Sequence, residues 1–184
     1  MTRAIVTICT EDYLPLLKLW EKRISLIYQL PIFVIGIGDE RLYQSPTTHV
    51  LSSDKNSNLF EYGTPDHACF EKLKIFEYLP LEISEILFID VDILLIDAFS
   101  EKYFSFENSF VACKDLFVGY KEKLQDEVSG FDPSFEIEFC EDGSYSYVNT
   151  GVFFVHRKTF QPLFSNWIDR WSQYLSFTQG QNTS

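Results

Sequence analysis

The run Ile86–Ile96, ILFIDVDILLI, sets Asp90 and Asp92 inside an otherwise wholly apolar stretch. The apolar residues before Asp90 read as a buried strand of the kind found in α/β sheets covered on both faces. Ionised carboxylates among apolar residues are costly unless something positive or hydrogen-bonding meets them. Their expected place is the C-terminal end of the strand, where open α/β sheets bind ligands. A divalent cation suits two acids on such an edge. Mg²⁺ or Mn²⁺ prefers carboxylate oxygen and keeps coordination sites for substrate phosphates.

The rest of the chain alternates strand and helix. Ala4–Cys9 reads as a buried strand, followed by a helix over Leu14–Tyr28 with Leu17, Trp20, Ile24 and Ile27 on one face. Pro31–Ile37 is a second strand, closed by Gly36, Gly38 and Asp39, and Thr47–Leu51 a short third. After the polar loop Ser52–Thr64, Asp66 is the expected N-cap of a helix reaching Tyr78, with Cys69, Leu73, Phe76 and Leu79 along one side. Strands at Phe110–Cys113 and Tyr147–Val155 follow. A final amphipathic helix spans Lys158–Leu175, with Phe160, Leu163, Phe164, Trp167 and Trp171 inward. Repeated β-α-β units imply an α/β fold: one domain over residues 1–184 with a mostly parallel sheet and helices on both faces.

At 184 residues, 46% hydrophobic and rich in aromatics, the chain can bury a full core. Its net charge of −12 argues against nucleic acid and against simple adsorption to anionic membranes. No apolar run reaches spanning length, and the start, Met1-Thr2-Arg3, runs directly into a strand, with no secretory leader. Cys9, Cys69, Cys113 and Cys140 are far apart and form no CxxC pair. They read as mostly buried thiols of a cytoplasmic protein. The segment 121–142 stands apart as an acidic insertion, with Glu122, Asp126, Glu127, Asp132, Glu136, Glu138, Glu141 and Asp142 against Lys121 and Lys123. It is a solvated surface loop or a loop that shapes an acceptor site.

Four elements can carry chemistry, each with a bland alternative. In a strand, Asp90 and Asp92 point to the same face and can reach one ion; otherwise they cap a strand or pair with lysine. In Tyr147–Val155, Asn149-Thr150-Gly151 interrupts an apolar strand, which marks close approach of a ligand or a simple bulge. Lys72 and Lys74, on the helix before the acids, reach phosphate oxygens or lie on a solvated face. The first strand's exit, Thr7-Ile8-Cys9-Thr10-Glu11-Asp12-Tyr13, can grip a base, Tyr13 by stacking and Thr10 or Asp12 by hydrogen bonds. Asp12 also fits as N-cap of the next helix.

These pieces, in this order, resemble the nucleotide-sugar-dependent glycosyltransferases of the GT-A fold, in particular the family 8 group of glycogenin and the bacterial lipopolysaccharide galactosyltransferases. The resemblance rests on TICTEDY, EKLKIFEYLP, ILFIDVDILLI, SFVACKDLF and YVNTGVFFVHRKTF before a Trp-rich helix. It implies that Asp90 and Asp92 hold Mn²⁺ or Mg²⁺ against a donor diphosphate, with Asp90 also near the ribose. Thr7, Thr10, Asp12 and Tyr13 would bind the nucleoside, uracil stacking on Tyr13. Lys72 would contact the donor sugar or diphosphate, with Lys74 as fallback. Asn149 and Gly151 would border the donor sugar, and Asp115 would face its hydroxyls. The implied reaction moves a hexose, with retention, from a UDP-linked donor to a saccharide, lipid-linked or protein acceptor.

The chain departs from the group's pattern at its end. A third metal ligand, a histidine, is expected beyond the last helix, and His49, His67 and His156 do not stand in that context; His156 reads as structural. The tail TQGQNTS resembles the start of the group's Asp-Gln motif, with Thr178 in the acid's place and its glutamine at Gln179, on the back face of the sugar. Two alternatives accompany the transferase reading. One is a haloacid-dehalogenase-type phosphatase, which opens with a similar acid pair near its N-terminus but wants Thr or Val where Leu94 stands. The other is a non-catalytic nucleotide-sugar-binding domain.

Overall fold

The computed structural model describes residues 2–38, 43, 45, 48–52, 65–104, 110–114 and 148–181, with backbone alone at 52, 65–66, 101, 113–114, 148, 170–171 and 174–181. Six strands form one sheet: β1 (Thr2–Thr10), β2 (Ile32–Ile37), β3 (Thr48–Ser52), β4 (Ile83–Ile89), β5 (Phe110–Lys114) and β6 (Val148–His156). Their order is β3-β2-β1-β4-β6-β5. The β1, β2, β3 and β4 pairings are parallel, whereas β6 runs antiparallel to both β4 and β5. Strand order therefore reverses direction between β1 and β4, which opens a crevice beyond their C-terminal ends.

Both faces are covered, as the strand pattern requires. Along β1, Ala4, Val6 and Ile8 enter one core while Ile5 and Cys9 enter the other. The same alternation sends Ile86 and Phe88 of β4 to the first core and Leu87 and Ile89 to the second. Helix α1 (Leu14–Ile27) closes the second core with Leu17, Trp20 and Ile24. The first core lies under α2 (Pro65–Glu71), α3 (Ile75–Tyr78) and α4 (Arg157–Gln181), and Phe160 and Phe164 of α4 stack there with centroids 3.6 Å apart. Among the described residues, no helix is long and apolar enough to cross a membrane.

Several local expectations are corrected. A 3-10 turn, Glu11–Tyr13, precedes α1, and Tyr13 occupies the N-cap position with no side-chain capping bond. Asp12 is therefore not the cap. Asp66 lies within the first turn of α2, since that helix already begins at Pro65. The helix expected to run unbroken to Tyr78 is divided by a 3-10 turn at Lys72–Lys74. Cys69 is exposed, and so is Trp167, because the α4 stripe that reaches the core is narrower than its aromatic content implied. Cys140 and the acidic segment 121–142 lie outside the described residues.

Candidate active site

Where β4 ends, the chain turns sharply. The Asp90 N–H donates to the Gly151 carbonyl of β6 at 2.7 Å, and the Ile93 N–H closes back on the Asp90 carbonyl at 3.0 Å. The two acids thus sit in a turn beyond β4, and the expectation that strand pleating aligns them is corrected. Val91 between them is buried, while Asp92 faces solvent. They remain electrostatic neighbours. Burial pushes the Asp90 carboxyl above its ordinary value, the Lys72 ammonium pulls it back through charge and a hydrogen bond, and the Asp92 charge adds to the rise.

Lys72 is no solvated helix residue. Its side chain is 13% exposed, against 29% for Asp90, and its ammonium lies 2.8 Å from Asp90 Oδ1. It stands 2.9 Å from Oδ2, so a single ammonium spans both carboxylate oxygens. It also donates to the Thr150 carbonyl at 3.5 Å and sits 5.0 Å above the Phe88 ring. Lys74, the fallback, goes elsewhere: it lies 3.6 Å from Glu71 and 4.6 Å over the Phe70 ring.

The aim of Lys72 is set from beneath by a group that the sequence did not reveal. Glu71 is fully buried, accepting from His67 Nε2 at 3.1 Å and from the Tyr78 hydroxyl. With Glu71 pinned inward, the 3-10 turn that starts at the next residue carries Lys72 across the end of β4. A glutamate and a histidine four apart on a helix usually signal a surface pair, so only burial distinguishes this one.

On the neighbouring strand, Asn149 is exposed and its Oδ1 accepts the Gly151 N–H at 2.7 Å. Gly151 is required by packing. A methyl group there would lie 2.8 Å from Asn149 Oδ1, 2.9 Å from Ile93 Cδ1 and 3.1 Å from Asp90 Oδ2. Gly151→Ala should fold, lose about 1–3 kcal/mol through this overpacking, and move both Asn149 and Asp90. Thermal unfolding beside a metal–nucleotide titration checks this; an unchanged titration would show that Gly151 does not position the site.

At the exit of β1, Thr10 is partly buried, whereas Asp12 and Tyr13 are exposed and open to a ligand. Thr7 is different. It is fully buried within β1. Asp115 lies outside the described residues, and Gln179 is placed only as part of the backbone of the last turns of α4. The structure thus brings Asp90, Asp92, Lys72, Asn149 and Gly151 together at one sheet edge, beyond the strand that adjoins β1.

The acid pair suits a hard divalent cation: two carboxylates, one desolvated and pressed by its neighbour's charge, gain from a positive partner. Among the described residues, no third His, Cys, Asp or Glu joins them.

No protein-family model matches the chain, and no curated protein matches it by sequence. Solved structures do match. The galactosyltransferase LgtC, in complex with donor and acceptor sugar analogues, superposes with a TM-score of 0.66 at 18% identity, over 94% of this chain and 68% of that one. The fold is that of the GT-A glycosyltransferases. Mouse xyloside xylosyltransferase 1, at a TM-score of 0.59 and 12% identity, shares it over 96% of this chain and 76% of that one. The glycosyltransferase GlyE of Streptococcus pneumoniae TIGR4, at 0.58 and 12%, does so over 92% of this chain and 38% of its own. This sheet carries the acid pair just after its fourth strand.

Proposed function

We propose that this chain is a metal-dependent glycosyltransferase that moves a hexose from a UDP-linked donor to a saccharide, lipid-linked or protein acceptor, with retention. The observation that carries the reading is the Lys72 ammonium held 2.8 Å from Asp90 at the strand-order reversal of a GT-A sheet, with Asp92 beside it. Breaking the bond between the anomeric carbon and the donor's phosphate oxygen leaves a nucleoside diphosphate with added negative charge. A bound Mn²⁺ or Mg²⁺, held by Asp90 and Asp92, would supply Lewis-acid charge to that leaving group.

The chain's own residues divide the remaining work. Lys72, whose ammonium lies against the Asp90 carboxylate, would contribute its charge to the oxygens of a diphosphate bound there. As a preorganised cation it stabilises charge that grows in the transition state. Tyr13 offers an exposed ring for stacking, and Thr10 and Asp12 supply hydroxyl and carboxylate for the nucleoside. The exposed Asn149, with an amide that can donate, is suited to a sugar hydroxyl. Asp115 and Gln179 are assigned to the sugar's hydroxyls and back face on the resemblance alone.

Titration with UDP in the presence and absence of Mn²⁺ tests the reading. Affinity should depend on the metal, and Asp92→Asn should abolish that dependence; unchanged metal dependence in the variant would overturn the assignment. A panel of nucleotide sugars, scored for turnover, separates the transferase from a binding domain that engages donors without consuming them.

A further inference from the structure

The outer face of α1 has an unusual composition for so acidic a chain. Every exposed position on this helix is Pro, Leu, Lys or Ser: Pro15, Leu16, Lys18, Leu19, Lys22, Ser25 and Leu26. The chain as a whole has 27 acids and a net charge of −12, yet the one acid of α1, Glu21, lies at the flank. Leu19 is 63% exposed and Leu26 73%. They stand seven residues apart, hence on one stripe, with Lys22 between them. Neither serves the core, which α1 reaches through Leu17, Trp20 and Ile24.

A second element extends the patch. Arg23 donates through Nε to the Leu95 carbonyl at 2.6 Å and through Nη2 to the Ile96 carbonyl. This clamps the segment after the acid pair against the side of α1. There Leu94 is 68% and Ile96 86% exposed, while Leu95 between them is buried. Single exposed leucines are ordinary, but four large apolar side chains on two clamped elements, interleaved with lysines, are a surface. Asp97 and Asp92 bound it on the loop side.

We propose that this face docks on the interface of a bilayer carrying anionic phospholipid. Leu19, Leu26, Leu94 and Ile96 would enter the boundary between head groups and acyl chains, and Lys18 and Lys22 would extend to lipid phosphates. The net charge of −12 argues against adsorption of the chain as a whole, but screening over about 8 Å at physiological salt leaves the contacting face to decide the local interaction. The same charges disfavour a second copy of the chain, which would set Lys18 and Lys22 against their own equivalents. Docking holds Asp92 two residues from the lipid surface, where a lipid-borne molecule would arrive. The inference concerns binding alone and does not depend on catalysis.

Cosedimentation of the full chain with vesicles tests it. Vesicles of phosphatidylcholine mixed with phosphatidylglycerol should retain the protein, and phosphatidylcholine alone should retain it weakly. Leu19→Glu and Leu26→Glu should each weaken binding about tenfold, and Lys18→Glu with Lys22→Glu should remove the preference for anionic lipid. Leu81→Glu, a leucine exposed in the turn before β4, controls for added charge and should change nothing. Failure of the wild type to bind the mixed vesicles would overturn the proposal, as would binding indifferent to Leu19→Glu. So would lipid-free self-association that Leu19→Glu abolishes, since the face would then serve protein contact. Near-ultraviolet circular dichroism confirms that each variant remains folded.

Discussion

Asp90→Asn should reduce sugar transfer about a thousandfold or more and remove metal-dependent UDP binding, while leaving the fold intact. The magnitude follows from losing one of two carboxylates that would hold the cation against a departing diphosphate, a contribution of several kcal/mol. The fold should survive because Asn preserves the shape of a side chain that lies beyond the end of β4, and the Asp90 N–H keeps its bond to Gly151. Lys72 loses its anionic partner but keeps the Thr150 carbonyl. Acid should imitate the variant. Burial holds the Asp90 carboxyl above its ordinary value, so its proton returns at a higher pH than on a free carboxylate. Metal-dependent binding should therefore fall as pH drops through that raised value. Stability carries the opposite sign: between the unfolded and folded values the native state binds more proton, so the Asp90 contribution declines as pH rises through that window. In Asp90→Asn both slopes should vanish. Calorimetric titration and thermal unfolding over the mildly acidic range would measure them. Metal-dependent UDP binding that persists in Asp90→Asn would refute the assignment.

The sequence was most legible where burial is continuous. The near-continuous apolar runs Ala4–Cys9 and Ile86–Ile89, set in repeated β-α-β units, implied helices on both faces, and the two cores divide those residues between them. The acid pair was legible as an electrostatic problem, and its place beyond a strand followed from the fold class. Its geometry was not. The turn at Asp90 depends on a bond to the Gly151 carbonyl, 61 positions along the chain by subtraction of the two residue numbers, and no local pattern encodes a partner so remote. Only the resemblance set Lys72 ahead of Lys74, because in the residues themselves the choice depends on Glu71 being buried rather than solvated. Thr7 was nominated by its neighbours in TICTEDY. Its complete burial is a tertiary fact that those neighbours do not encode. Asp115 and the segment 121–142 lie outside the described residues.

Arg157→Ala should be the most destabilising single change among the described polar side chains, at about 3 kcal/mol or more. This arginine stands at the junction of β6 and α4 and looks, in YVNTGVFFVHRKTF, like an ordinary surface cation. Its guanidinium instead donates to four carbonyls: Ile83 at 2.9 Å, Phe76 at 2.7 Å, Leu79 at 3.2 Å and Pro80 at 2.7 Å. It also lies 4.7 Å over the Phe76 ring. Those acceptors end α3 and lead into β4, where Leu79 and Pro80 leave helical geometry and the helix's last carbonyls lack backbone donors. Burial lowers the Arg157 pKa, and the Glu82 charge partly restores it. A guanidinium stays cationic regardless, so its contribution should not change with pH across the neutral range. Truncation would remove four hydrogen bonds together, although the Pro80 carbonyl keeps the Ile83 N–H at 3.0 Å. Lysine should recover little, because one ammonium cannot meet acceptors spread around a planar fork. At about 2–4 °C per kcal/mol for a chain of this size, the midpoint for Arg157→Ala should fall by roughly 6–12 °C. A shift under about 2 °C would show that water replaces the arginine at these carbonyls. Because α3 follows the turn that aims Lys72, Arg157→Ala should also weaken metal-dependent UDP binding, but less than Asp90→Asn, since the carboxylate remains in place.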